Sequence, residues 1–276
     1  VVAGASGDAR EPVAFVYDRV FGPEVSTEEV YCWPPVRDEV VLGVLDGYNG
    51  TLFAYGPTGT GKTHTMLGSA DGSSAGVLPM ALADVFESIA EGQASGGSYL
   101  LRASYLEIYN EVINDLLAPP SLESANLRLM EDPERGLVVQ DIREEPLSSP
   151  EEALSLLHYG VSRMHFGETT SNARSSRSHA LFRLSVESTP AVDPAAAAHG
   201  GAAAPSVVRS ATLSMVDLAG SERAAATGLA GERLKEGSFI NRSLLALSNI
   251  IAKLSDGQRV AEWRTSKLTR LLQSSL

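Results

Sequence analysis

Gly56-Pro57-Thr58-Gly59-Thr60-Gly61-Lys62-Thr63 is a complete G-x-x-x-x-G-K-[ST] phosphate loop, and the residues around it stand in the order such a loop needs. Gly50-Thr51-Leu52-Phe53-Ala54-Tyr55 reads as a short buried strand just upstream, and His64-Thr65-Met66-Leu67 opens a helix just downstream. A polyphosphate needs backbone N–H groups aimed at its oxygens, with glycines where a Cβ would block the approach, and a helix start adds its positive dipole end. Lys62 then reaches the β- and γ-phosphates, and the Thr63 hydroxyl takes one coordination position on Mg²⁺. Four fixed positions would match by accident in only about one chain in a hundred of this length.

The 276 residues, 43% of them hydrophobic, suffice to bury a core and lie near the upper size of one domain. The lone cysteine, Cys32, allows no internal disulfide and reads as an apolar filler beside Trp33. No run approaches the ~18 consecutive apolar residues of a membrane span, and the first residues lack a signal-peptide pattern, so the sequence reads as soluble and intracellular. The net charge of -12 argues against a general nucleic-acid binder. The charge is uneven, however: from Arg233 onward eight Lys/Arg face three Asp/Glu, leaving +5, while the preceding residues carry -17. That asymmetry suggests a face for an acidic partner.

Val13 to Asp18 reads as a strand, and Ser26-Thr27-Glu28-Glu29 caps a helix that Trp33-Pro34-Pro35 interrupts. Val36, Val40, Val41 and Val44 restore helical spacing up to Asp46-Gly47. Gly68 to Gly76 is a surface loop, Val77 to Ala90 a helix, and Tyr99 to Tyr109 a long strand continued by Asn110 to Leu117. Short strands fill Leu127 to Leu147, and a helix starts at Ser149-Pro150-Glu151-Glu152 and runs to about Met164. Strands around Leu181 to Val186 and Val207 to Val216 flank an Ala/Gly/Pro-rich insertion, 191-206. Strands alternating with helices around a phosphate loop give an α/β three-layer sandwich of the P-loop NTPase type.

Two further segments suit a γ-phosphate. The apolar strand ending at Val216 delivers Asp217 to its edge, where a carboxylate holds the Mg²⁺ shell, and Gly220 follows with a backbone N–H able to test for the phosphate. Asn172-Ala173-Arg174-Ser175-Ser176-Arg177-Ser178-His179 is a polar loop between a helix and a strand.

The phosphate loop with its trailing His64-Thr65-Met66, the Asn172 to His179 octet and Asp217-Leu218-Ala219-Gly220-Ser221-Glu222, in this order, resemble the motor domain of kinesins. Phe15 to Phe21, Tyr105 to Glu111, Leu234 to Gly237, Asn241 to Leu244 and Ser266 to Gln273 resemble the same family, and the wording around Tyr105 to Leu117 resembles its centromere-associated subfamily. The resemblance implies a central, mostly parallel mixed sheet, ATP and Mg²⁺ as ligands, and microtubule-stimulated ATP hydrolysis. It implies nucleotide contacts from Gly56 through Thr63 and from His64, with Thr63, Ser176 and Asp217 in the metal shell. Ser175, Asn172 and Gly220 would surround the γ-phosphate and attacking water, and Arg177 and Glu222 would form the salt bridge that closes the two switch loops, Glu222 accepting a proton through water. His179 would hold the loop rather than act as a base.

Loss of the γ-phosphate would release both switches and be felt by the helix Phe239 to Leu254, whose partner begins near Ser266. Both helices fall in the basic segment, and Lys235, Arg264, Lys267 and Arg270 would contact the microtubule (tubulin). The resemblance further implies a cytoskeletal location, at the spindle or kinetochore, and a homodimer held by coiled-coil segments elsewhere, with no membrane partner. A passive microtubule-binding module is the alternative; a guanine-specific G protein would carry an Asn-Lys-x-Asp motif, which is absent. Three departures stand out. Pro57 replaces the family's usual Gln, Trp263-Arg264-Thr265 replaces its usual Tyr-Arg-Asp or Tyr-Arg-Asn, and the family's first strand and its last strand, helix and neck linker have no counterpart. The reading is therefore of a fragment or incomplete gene model, with the Val13 to Tyr17 strand left without partners.

Overall fold

Hydrophobic alternation along three long strands sets the architecture of the computed structural model, which describes residues 14-119, 125-133, 136-165, 174-190, 207-222 and 232-276. Helix α1 (Thr27–Tyr31) is capped by Ser26, whose hydroxyl accepts from the Glu29 N–H while the Glu29 carboxylate accepts from the Ser26 N–H. After the prolines the chain resumes as a π-helical turn, Pro35–Val41, and a 3-10 turn, Leu42–Asp46, which Gly47 ends at φ 93°. Then come β1 (Gly50–Ala54), α2 (Lys62–Leu67), α3 (Val77–Ala94), β2 (Ser98–Tyr109), β3 (Val112–Asp115), β4 (Ala125–Leu127), β5 (Leu129–Asp132), β6 (Gly136–Val139) and β7 (Glu145–Leu147). Helix α4 (Pro150–His165), β8 (His179–Thr189), β9 (Arg209–Asp217), α5 (Glu232–Ser255) and α6 (Lys267–Leu271) complete the chain.

The main sheet runs β1-β9-β8-β2-β3-β4, with β7 also on β2, and β5 and β6 form a separate hairpin. On one face Ala103 and Tyr105 of β2, Phe182 and Leu184 of β8, and Leu213 and Met215 of β9 pack against α3 and α4. On the other, Leu106, Ile108, Leu181 and Val216 pack against Ile240, Leu244 and Leu247 of α5 and Leu268 and Leu271 of α6. Period-two alternation thus sends neighbouring residues to opposite cores and makes the three-layer sandwich.

Four expectations are corrected. The sheet is mixed, but β1 with β9 is the one parallel pairing among the described strands, so it is not mostly parallel. The reason is local connection: β2 turns into β3 through Asn110 and Glu111, both at positive φ (49° and 60°) as a tight hairpin requires, and β9 returns antiparallel beside β8. Residues 14-17 form no strand, and Phe15, Val16 and Tyr17 are exposed; no described strand pairs with the outer side of β1, so they have no ladder to join. Cys32 is exposed at the end of α1 rather than filling the core. Helix α5 starts at Glu232, almost two turns before Phe239.

The insertion 191-206 lies outside the described residues. No helix among the described residues is long and apolar enough to cross a membrane.

Candidate active site

The register of three adjacent strands brings the three motifs together. Ala54, the last residue of β1, pairs with Asp217, the last of β9, and Asp217 pairs with Ala180, the second of β8. β1 and β9 are parallel, so the phosphate loop and the Asp217 to Glu222 segment leave the sheet side by side. Because β8 is antiparallel, the loop preceding it arrives at the same edge. The carboxyl ends of parallel strands are where α/β sheets place ligands.

Gly59 and Gly61 adopt φ 81° and 92° with open space where a Cβ would stand, so the loop presents bare backbone to a cavity of about 400 Å³. The cavity is lined by Thr58, Gly59, Gly61, Lys62, Thr63, His64, Ser176 and Leu218. The Lys62 ammonium donates to the Pro57 carbonyl at 2.9 Å, and Thr60 Oγ1 donates to the same oxygen at 2.8 Å. Pro57 therefore lacks an N–H but serves the loop as an acceptor.

Thr63 Oγ1 donates to Asp217 Oδ2 at 2.5 Å. The other oxygen, Asp217 Oδ1, is buried with no hydrogen-bond partner among the described residues. Burial raises the Asp217 pKa, against the Thr63 hydrogen bond and the Lys62 charge, which lower it. A hydroxyl and a carboxylate side by side, one carboxylate oxygen left over, are a donor set suited to a hard cation such as Mg²⁺ with its waters.

The backbone after Asp217 is fastened through three consecutive amides. Ala219 N–H donates to His179 Nδ1 at 3.1 Å, Gly220 N–H to the Ser176 carbonyl at 2.9 Å, and Ser221 N–H to the Gly56 carbonyl at 3.1 Å. Glu222 then reaches over to the phosphate loop: Oε2 accepts from Thr58 N–H at 2.9 Å and Oε1 from Thr58 Oγ1 at 2.5 Å. A Cβ on Gly220 would come within 2.5 Å of Thr58 Oγ1 and both Glu222 oxygens, so a side chain there would displace that contact. Burial raises the Glu222 pKa, but the Thr58 hydrogen bonds, its own N–H and the Lys62 charge together hold it below the usual range.

Of the residues expected here, Gly56 to His64, Ser176, Asp217, Gly220 and Glu222 converge on one edge. Ser175 lies in the 3-10 turn Arg174–Arg177, its side chain outside the described residues, and Asn172 is outside them altogether. The role of His179 as acceptor for Ala219 was not legible, since the partner is a backbone amide forty residues on.

Among the basic positions, Lys235 falls on α5 with its side chain outside the described residues. Arg264 and Arg270 both bond Glu131 Oε1 of β5, at 2.8 and 3.2 Å. Lys267 begins α6, and its backbone N–H donates to Glu111 at 2.9 Å. Ser266 caps that helix in a reciprocal pair with Thr269. The Glu131 contact was invisible in the sequence, because it joins segments 133 and 139 residues apart.

The family model described as "Kinesin motor domain" matches residues 4-276. Kinesin-like protein KIN-7O of Arabidopsis thaliana is 46% identical over 96% of this chain, and the chloroplastic Kinesin-like protein KIN-7D of Oryza sativa subsp. japonica is 49% identical over 96%. The chain spans 20% and 24% of the length of those two relatives. Their names carry no centromere association. A solved structure described as "Structure of a fast kinesin" superposes with a TM-score of 0.81 at 37% identity, covering 98% of this chain and 72% of that one.

Proposed function

Since the chain belongs to the kinesin motor domain family, we propose that it is an ATP-hydrolysing microtubule motor domain in which the Asp217 to Glu222 segment passes the state of the phosphate site to α5. The observation that carries the reading is the shared register of Ala54, Asp217 and Ala180, with Thr63 bonded to Asp217 across the edge it creates. The bare loop from Gly56 to Gly61 would hold the phosphates, Lys62 would exchange the Pro57 carbonyl for phosphate oxygens, and His64 would border the nucleotide. Thr63, Ser176 and Asp217 would hold Mg²⁺. Bound there, the ion would neutralise the charge that builds on the transferred phosphoryl group.

Hydrolysis needs an ordered water and a proton acceptor. Ser175, Asn172 and the Gly220 N–H would position the water, and Glu222 would take the proton, its depressed pKa keeping it ionised to do so. Glu222 is bonded to Thr58 here, so a closing movement that pairs it with Arg177 would trade two contacts to the phosphate loop for one between the switch segments. Loss of the γ-phosphate reverses that trade, and α5, packed on Leu218 and Ala219, responds. Microtubules are the partner for the basic C-terminal segment that includes Lys235, Arg264, Lys267 and Arg270; we place the protein on the microtubule cytoskeleton and assign any self-association to segments other than these.

The test is ATP turnover of the full chain with and without microtubules. We expect stimulation in the parent protein, no tight nucleotide binding in Lys62→Ala, and bound but unhydrolysed ATP in Glu222→Ala. Normal turnover in Glu222→Ala would remove the proton assignment. Binding to microtubules without any stimulation would make the protein a passive module instead.

A further inference from the structure

His179 has no task in the chemistry above, yet it is the side chain at which β8, the Asp217 to Glu222 segment and α5 meet. Its hydrogen-bond directions follow from its partners. The Ala219 N–H can only donate, so Nδ1 offers its lone pair, at 3.1 Å. On the far side Nε2 lies 2.8 Å from Ser243 Oγ, and that oxygen lies 2.8 Å from the Ile240 carbonyl, which can only accept. The Ser243 O–H therefore points to Ile240, and Oγ accepts from Nε2–H. The imidazole is neutral with its proton on Nε2, and burial agrees with this, lowering its pKa to about 4. His179, Ala219 and Ser243 are all buried, so water does not compete for these bonds.

Beside this pair α5 meets the sheet through an apolar cluster: Ile240, Leu244 and Leu247 with Leu218, Ala219 and Val216. Apolar contact has no direction and lets a helix slide or rotate at small cost. A chain of short, oriented hydrogen bonds does not, because each bond weakens steeply with angle. The bond from Ser243 to Ile240, one turn back on the same helix, also fixes the serine rotamer, so the imidazole grips the helix rather than a mobile side chain.

We propose, on the motor reading above, that the His179–Ser243 pair is the rigid coupling between the backbone amide of Ala219 and helix α5, through which microtubule engagement and ATP turnover are linked. His179 is a positioning residue in this scheme; it transfers no proton.

The full chain is compared with Ser243→Ala, with the conservative Ser243→Thr, with His179→Asn and with the Ser243→Ala/His179→Asn double variant. Asn retains an acceptor near the place of Nδ1 but falls short of Ser243. Ser243→Ala should keep basal turnover and nucleotide affinity within about two-fold and lose roughly ten-fold in the microtubule-stimulated rate, the scale of one buried hydrogen bond. Ser243→Thr should restore most of it, and the double variant should be no worse in stimulation than the poorer single one, as for two ends of one link. Hydrogen exchange adds a readout without microtubules: a non-hydrolysable ATP analogue should change the protection of α5 amides in the parent and not in Ser243→Ala.

Stimulation and exchange response in Ser243→Ala equal to the parent would overturn the coupling alone. So would losses in the double variant that simply add. A parent protein that microtubules do not stimulate would overturn the motor reading and the coupling with it.

Discussion

Two helical glycines that both face a tyrosine should respond oppositely to a methyl group. In a helix interior, Gly→Ala is ordinarily stabilising by about 1 kcal/mol through backbone entropy. At Gly160 of α4 the added Cβ would stand 2.2 Å from Tyr105 Cδ1 and 2.8 Å from Cε1. Relief needs a movement of about 1 Å, to reach ordinary carbon contact at ~3.5 Å. Tyr105 cannot supply it. Its side chain is 2% exposed, its ring stands edge-on to Phe182 with centroids 5.6 Å apart, and its hydroxyl is bonded to Met164 Sδ.

Overpacking a filled core costs about 1–3 kcal/mol, and disturbing the aromatic pair adds about 0.5–1.5. Set against the helix gain, Gly160→Ala should lose roughly 1–3 kcal/mol. At Gly92 of α3 the Cβ meets the Tyr99 hydroxyl at 2.1 Å, a shorter clash. Yet Tyr99 is only half-buried and borders an open groove of about 670 Å³, into which the ring can swing. Gly92→Ala should therefore be neutral or stabilising by up to about 1 kcal/mol. Urea titration followed by circular dichroism measures both, with unchanged m-values required before the midpoints are compared. Gly160→Ala at least as stable as the parent would refute the claim that Tyr105 is immovable, and equal losses at both sites would refute the role given to the groove.

His179 should make stability depend on pH. Its pKa falls from 6.5 to about 4 on folding, so the unfolded chain binds more protons between those values and stability declines as pH drops through that window. The full effect is roughly 3 kcal/mol between pH 7 and pH 4, and it should be missing from the stability–pH curve of His179→Asn, measured by urea midpoints at each pH. Asp217→Asn should weaken the Mg²⁺ requirement for binding an ATP analogue, reading as similar affinity with and without the ion in a fluorescence titration, while Thr63→Ser should leave it nearly intact. Glu131→Gln should release Arg264 and Arg270 and tighten microtubule co-sedimentation by a few-fold at low salt, with the difference fading at high salt as the charges are screened. Identical binding at low salt would show that the two arginines make no use of their freedom.

The parts of the site readable from the sequence are those held by local spelling. Gly59 and Gly61 declare a backbone that must turn with positive φ, the Ser26 and Ser266 caps declare helix starts, and the alternation in β2, β8 and β9 declares two cores. What failed or stayed hidden depends on partners far along the chain. Residues 14-17 have the β-branched and aromatic composition of a strand, but a strand exists only where a ladder receives it. The antiparallel bias of the sheet rests on the Asn110-Glu111 turn, where a glutamate takes a left-handed conformation that its own propensity opposes, and where its carboxylate receives the Lys267 N–H. Glu131 between two arginines and Ser243 beneath an imidazole carry no local signature at all.

The three fastened amides after Asp217 make ligand recognition an exchange. One N–H has room for one good acceptor, so an anion claiming the proton of Gly220 must evict the Ser176 carbonyl that already holds it. Ala219 and Ser221 are tied on either side by a ring nitrogen and by the Gly56 carbonyl, which leaves the peptide little room to serve both claimants at once. Affinity at that point is a difference between rival acceptors, and any substitution that loosens the Ser176 carbonyl would sharpen the site for its guest without touching the guest.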